Sequence, residues 1–450
     1  MGKAFFMLKT LQFKYQIVFY LLLGYMLINI PLYLQSFLLP VTIIRFQIID
    51  LAAWTLIFTV MFYLLFAKKI VIQIDSGILK WYLIWIGFSM VSVVALLRFN
   101  YQIVYDLYLF YFLMTYFVLL FVLAIGFEPN AYKSLDKLIK QIPQILSIIY
   151  LPILLLAIVQ FVFHDNFLSM NTDEKTMQAS SDLLGTFRPR SVFNSSYELG
   201  LLATLVFAFH FPNIWGKFLQ VKSYHWLMCF IGLAGILISQ TRNVYFIALM
   251  FVVNFILVKQ FFKYKFWLKA MPVLFVLLLS SVLVFMAFQA LSGNLLSDFF
   301  SNESTFVRFA FLYTLMEGLV LKGSPLDLLF GWGLMQHAGD SNIISIFPNI
   351  YNSEDGALGI DNLFFGMFLN QGLIGLGIFL TLFYKVWNKL CSLSYESMHP
   401  FYYSVMALFG GYLGAGVFNL IQVSVYSNLL WFFAFLVLAH HYAQYEKKSN

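Results

Sequence analysis

The chain has 450 residues, of which 62% are hydrophobic, 20% aromatic and only 10% charged, with a formal net charge of +7, whereas about a quarter of the residues in a soluble globular domain are charged. With a mean hydropathy of +0.84, this balance argues against a soluble fold and predicts an all-α, polytopic membrane protein, a single membrane domain over 1–450. The two cysteines, Cys229 and Cys391, are too few for a disulfide framework or a cysteine metal cluster.

In chain order, the basic N-terminus MGKAFFMLKTLQFK precedes a long apolar stretch without a small-residue cleavage site, which reads as a first retained span. Apolar runs then predict twelve spans: Tyr15–Leu39, Gln47–Ala67, Ile78–Leu97, Tyr105–Gly126, Ile142–Phe163, Tyr197–Phe211, Tyr224–Ser239, Val244–Val258, Met271–Leu291, Leu363–Tyr384, Phe401–Leu420 and Val425–Ala439. Those of 15 or 16 residues fall short of the usual length, so they have soft boundaries or sit inside the bundle, shielded from lipid.

With the N-terminus inside, the breaks 1–14, 68–77, 127–141, 212–223, 259–270, 385–400 and 440–450, with Lys80, hold 19 of the 27 basic residues, which fits the positive-inside rule and puts both termini in the cytoplasm. All 19 are lysines. The outer side carries Lys175, Lys322 and every arginine: Arg45, Arg98, Arg188, Arg190, Arg242 and Arg308. Topology alone does not sort lysine from arginine, so the outer arginines read as binding residues for an oxyanion, with interfacial snorkelling as the bland alternative. Two outer segments stand out, 164–196 and 292–362; the second is long enough to contain short helices covering a cavity.

Four constellations follow in order. In GTFRPRSVFNSSYELGLLATL, Arg188 and Arg190 flank a proline and Glu198 lies in the first turn of the next span, where Arg190 or Arg242 is its expected partner. In ISQTRNVYFIALM, a tight outer turn holds Arg242 near the membrane surface. In STFVRFAFLYTLMEGLVLKGSPLDLLFGWGLMQHAGD, Arg308 opens a helical stretch and Gly331–Gly333 closes the segment with a tight turn. In GIDNLFFGMFLNQGLIGLGIFL, Asp361 and Asn362 stand at a span mouth, and Gly372, Gly375 and Gly377 allow close helix contact.

The order of these motifs, over about Thr186 to Leu382, resembles the O-antigen ligase and polymerase superfamily, of which the Wzy-type repeat-unit polymerases are part. The resemblance implies a C-type glycosyltransferase using undecaprenyl-diphosphate-linked oligosaccharide on the outer face of the bacterial plasma (inner) membrane. The functional arginines then correspond to Arg188 or Arg190, Arg242 and Arg308. It also implies a chain-length regulator and a flippase as accessory partners and a groove for the prenyl tail, with no nucleic acid and no cofactor. Family ligases tend to carry a histidine where this chain has Asp361, which tilts the reading toward a polymerase of lipopolysaccharide O-antigen, capsule or exopolysaccharide. A ligase to a lipid or protein acceptor, or a lipid-oligosaccharide flippase, is the alternative.

A departing diphosphate needs its growing charge neutralised. The sequence has no Asp-x-Asp motif and no histidine near its acidic pairs at metal-ligand spacing, so no metal is expected and the arginines are left to do this. The acceptor hydroxyl needs a base. Asp361 is the first candidate, with helix capping by Asp361 or Asn362 as the structural alternative, and His337 is the second. His210, His225, His399, His440 and His441 fall toward the cytoplasmic side, outside this scheme.

Overall fold

The structure, a computed structural model, describes residues 38–39, 46–47, 75–96, 131–165, 187–191, 196–215, 223–261, 324–331, 363–415 and 425–449. Apart from two short strands, the spans expected at Tyr15–Leu39, Gln47–Ala67, Tyr105–Gly126 and Met271–Leu291 lie outside these residues. The strands, β1 (Leu38–Leu39) and β2 (Phe46–Gln47), pair antiparallel with Leu38 opposite Gln47. Everything else regular among the described residues is helical: α1 (Ser76–Leu96), α2 (Ala131–Phe163), α3 (Ser196–Trp215), α4 (Ser223–Ile238), α5 (Arg242–Phe261), α6 (Pro325–Phe330), α7 (Leu363–Ser397), α8 (Pro400–Ala415) and α9 (Val425–Ser449).

Among the described residues four stretches are long and apolar enough to cross a membrane, Leu135–Phe163, Ser196–Trp215, Asn243–Gln260 and Gln371–Ser397, as in an α-helical membrane protein. A helix apolar on every side belongs in the middle of a bundle. α3 meets that description, and Leu199 to His210 are buried without interruption. α4 lies along α3, α5 lies along α8, and α1 lies along α7. Phe401 to Tyr412 of α8 and Leu430 to His440 of α9 are likewise buried throughout.

Small residues set the closest approaches. A side chain at Gly232 of α4 would strike the Phe207 backbone of α3 at 2.8 Å, and one at Gly235 would strike Ala203 at 2.8 Å. At Gly410 of α8 the missing Cβ leaves room for the Trp387 indole, 2.3 Å from where that atom would stand. Aromatic rings fill the remaining space, Phe383 stacking on Phe409 at 4.2 Å and Phe209 on Phe401 at 5.2 Å. Pro212 sits inside α3 and has no N–H to offer the carbonyl four residues back, that of Ala208. Ser404 of α8 takes that place, its Oγ donating to the Ala208 oxygen at 2.7 Å.

Several boundaries differ from the hydropathy reading, most of all those of α2, α7 and α9. α2 begins eleven residues before the expected Ile142, and α7 runs to Ser397 rather than Tyr384. The added turns interleave lysines with apolar positions, and Leu135, Leu138 and Ile139 are buried although the lysines interrupt the apolar run there. Of the short spans, α3, α5 and α9 lengthen, while α4 keeps 16 residues and exposes an apolar stripe of Trp226, Leu227, Phe230, Leu233 and Leu237. Among the described residues, that stripe has no helix packed over it.

Candidate functional site

Gln160, near the end of α2, is fully buried, and its amide needs partners at that depth. The chain at Ser191 supplies them: the Ser191 N–H donates to Gln160 Oε1 at 2.6 Å, and Gln160 Nε2 donates to the Ser191 carbonyl at 3.3 Å. Ser191 Oγ donates to the Ile153 carbonyl at 2.8 Å, and its φ of 55° turns the chain sharply. His164 meets the Phe187 ring at 5.6 Å. The Phe187–Ser191 segment, which carries Arg188 and Arg190, is thus pinned at both ends to the last turns of α2.

Pinning buries the charge between these anchors. Arg190 is 4% exposed, and desolvation lowers its pKa from the usual guanidinium value, although a guanidinium remains cationic under such a shift. Arg188 is half-buried and lies within electrostatic reach of Tyr245. Tyr245 is one turn beyond Arg242, and its hydroxyl donates to the Leu237 carbonyl at 2.7 Å, tying α5 to α4 across the hairpin. The turn closes on itself through Ser239 Oγ to Ile236 O at 2.7 Å and Thr241 Oγ1 to Ser239 O at 3.0 Å, with Gln240 at φ 47°. Gly200 of α3 packs beneath it; a Cβ there would lie 2.6 Å from Val244 and 2.8 Å from Ser239 Oγ.

The Arg-Pro-Arg segment, the α3 N-terminus with Glu198 in its first turn, and the α5 N-terminus at Arg242 therefore meet at one end of the bundle. Glu198 suits the positive end of the α3 dipole, whereas Arg242 stands at the corresponding end of α5, where a cation is disfavoured and an anion is welcome. The first turn of α5 contains no acidic residue. The side chain of Arg242 and all of Arg308, His337, Asp361 and Asn362 lie outside the described residues. Sequence reading did not single out Gln160, Ser191 or Tyr245. Gln160 did carry a signal, as a carboxamide among the last apolar residues of a span.

Apart from His164, the described histidines gather toward the far end. His210 Nε2 lies 2.7 Å from Ser147 Oγ, and its Nδ1 lies 2.9 Å from Nδ1 of His225. Tyr402 Oη and His440 Nδ1 are 2.5 Å apart, and His440 Nε2 faces Asp136 Oδ1 at 3.7 Å. Asp136 also pairs with Lys140 at 2.6 Å. Burial pushes both His399 and His440 down to about 4, against the opposing pull of Asp136. Among the described residues no group of three histidine, cysteine or acidic side chains could hold a metal.

Comparison with known proteins finds no matching family model and no matching curated protein.

Proposed function

We propose that the chain is a metal-independent polysaccharide polymerase. It joins undecaprenyl-diphosphate-linked oligosaccharide repeat units into O-antigen, capsule or exopolysaccharide on the outer face of the bacterial inner membrane. In this reading it has twelve spans, both termini are cytoplasmic, and the Arg-Pro-Arg end of the bundle faces outward. The observation that carries the reading is a buried Arg190 beside Arg188 at the meeting of two helix N-termini. Such a place favours an oxyanion more strongly than bulk water does.

In this scheme Arg188, Arg190 and Arg242, joined by Arg308, hold the diphosphate while its bond to the anomeric carbon breaks. The acceptor hydroxyl of the incoming unit loses its proton to Asp361, or to His337 in its place. The growing chain moves to that hydroxyl, and undecaprenyl diphosphate leaves. One observation favours the flippase alternative instead: Ser147, His210 and His225 form a buried polar chain within apolar helices, a setting common along transport paths.

The test uses purified full-length protein in detergent, a short lipid-diphosphate-linked repeat unit and excess chelator, with product length followed on a gel. The expected result is a ladder that survives chelation and disappears with Arg190→Ala and with Arg308→Ala. A ladder unchanged by both substitutions overturns the reading, and so does movement of intact lipid-linked substrate across vesicles with no elongation.

A further inference from the structure

Two imidazole nitrogens at hydrogen-bond distance need one proton between them, because two bare lone pairs repel and two N–H groups collide. Nδ1 of His210 on α3 and Nδ1 of His225 on α4 stand 2.9 Å apart. The neighbours decide which ring supplies the proton. Ser147 of α2 has one hydroxyl proton and donates it to the Pro143 carbonyl at 2.7 Å, so its oxygen meets His210 Nε2, also at 2.7 Å, as an acceptor. The Pro143 backbone is itself hydrogen-bonded to the His210 ring, and a proline backbone only accepts. His210 therefore carries its proton on Nε2. A neutral imidazole has one, which leaves His210 Nδ1 bare and makes His225 Nδ1–H the donor.

This assignment fixes how many protons the pair can hold. A proton added at His225 Nε2 leaves the bond between the two Nδ1 atoms intact. A second would have to enter at His210 Nδ1, where two N–H groups and two positive charges would then face each other, so the rings titrate as one coupled unit. His210 is fully buried, and among the described residues the charge acting on it is that of His225. Also facing the pair are Ser147 and the Pro143 carbonyl from α2 and Tyr224 from α4, its ring edge-on to His210 at 5.1 Å. α5 and α8 also pack on α3, but no described titratable group of either acts on His210. On the Ser147 side the chain of groups ends blind, because the Pro143 carbonyl has no proton to pass on; it stores a proton and does not conduct one.

The bonds join three helices: α2 through Ser147, α3 through His210, and α4 through His225 in its first turn. Further along α4, Gly232 and Gly235 seat the helix on α3 by close packing, whereas the first turn is held by the imidazole bond. That turn is also the positive end of the helix dipole, so a charge on His225 is disfavoured there even before a second proton arrives. We propose that His210 and His225 form a proton-operated latch, closed at neutral pH and opened by acid, that fastens the first turn of α4 to α3. The latch stands apart from the polymerase reading and does not rest on it.

The experiment uses full-length protein in lipid nanodiscs, with Cys229→Ala and Cys391→Ala. Nitroxide labels at Trp215→Cys, on the last residue of α3, and at Phe230→Cys, on the exposed stripe of α4, report the distance between the two helices as pH falls from 8 to 4.5. The labels are expected to hold one distance near neutral pH and to separate in acid by about 5 Å, one helical turn. His225→Asn is expected to remove the acid step, and so is His210→Asn; the half-buried His225 carries the test should the variant at the buried His210 fail to accumulate. Nitrogen-15-labelled protein with both histidines intact is expected to show, at neutral pH, a coupling between the two Nδ1 atoms and a proton on His210 Nε2. Labels that stay together in acid, or that separate equally in His225→Asn, overturn the latch. Absence of the coupling, or a proton on His210 Nδ1 in the neutral spectrum, overturns the proton count behind it.

Discussion

At the end of the bundle where α3 and α5 begin, a guanidinium is buried and kept charged; at the other end, imidazoles are buried and kept neutral. α2 spans the two, with Gln160 at the first and Asp136 at the second, roughly 36 Å apart along its axis. The polar groups do different work. Around Arg190 they hold a loop in place, while around His440 the hydroxyl of Tyr402 and the carboxylate of Asp136 flank the ring. Burying a charge costs free energy, and perturbed titratable groups cluster at functional centres. The proposed function places its ligand at the arginine end.

The sharpest way to break this contrast is to remove the charge. Arg190→Met is expected to reduce elongation roughly 100-fold or more, and Arg190→Lys to recover only part of that loss because an ammonium lacks the guanidinium fork. Full activity in either variant would make the two ends alike. Next in size is Gln160→Leu, which strands the Ser191 N–H in a buried site and is expected to cost about 1–3 kcal/mol in thermal unfolding. Because the same change frees the Arg-Pro-Arg segment, donor binding should weaken more than stability does; equal losses would reduce Gln160 to a packing role. Gly200→Ala introduces a Cβ 2.6 Å from Val244; over-packing of this kind is expected to cost about 1–3 kcal/mol, read as a lower melting temperature in detergent.

The smallest effect concerns the histidine end. His399 and His440 hold folded pKa values of about 4, below the ordinary histidine value near 6.5. Between those limits the unfolded chain binds more protons than the folded one, so stability is complete above about pH 6.5 and is lost as pH falls toward 4, by at most about 1.4 kcal/mol per pH unit for each ring. Asp136 and Lys140 on α2 and the neighbouring His441 share this environment. His440→Gln should flatten the melting temperature between pH 7 and 5, and an unchanged slope would show that His440 does not titrate there.

Hydropathy made the apolar middle of each described span legible, because lipid-compatible length is written directly in composition. The Gln240–Arg242 turn and the close approach at Gly372 were legible too, since a polar interruption and a glycine each carry local geometry. The first turns of α2 and the last turns of α7 were not: Leu135, Leu138 and Ile139 are buried against protein, and a window tuned to lipid reads their lysine neighbours as an end. The partner at Gly372 was also hidden. The sequence suggested helix-to-helix contact, but the room is taken by the backbone of α6, a pairing set by tertiary placement rather than spacing. Gly377, read in the same way, has nothing within 4 Å among the described residues. At the candidate site, the segments that carry Arg188, Arg190, Glu198 and Arg242 meet at one end of the described bundle. The pin through Gln160 and Ser191 joins residues 31 apart across the long 164–196 loop, a separation at which no local pattern operates.

The bond from Ser404 to the Ala208 carbonyl also bears on how the protein is made. Pro212 leaves that carbonyl without its helical donor, and the donor that replaces it is synthesised nearly two hundred residues later. Until α8 emerges, α3 lies in the bilayer with a bare acceptor, a condition the hydrocarbon tolerates poorly. A nascent chain halted before Pro400 is therefore expected to be held by membrane chaperones or degraded, and pulse-labelled truncations ending on either side of α8 would reveal the step. A helix from the last 51 residues of the chain thus completes the helix that stands near its centre.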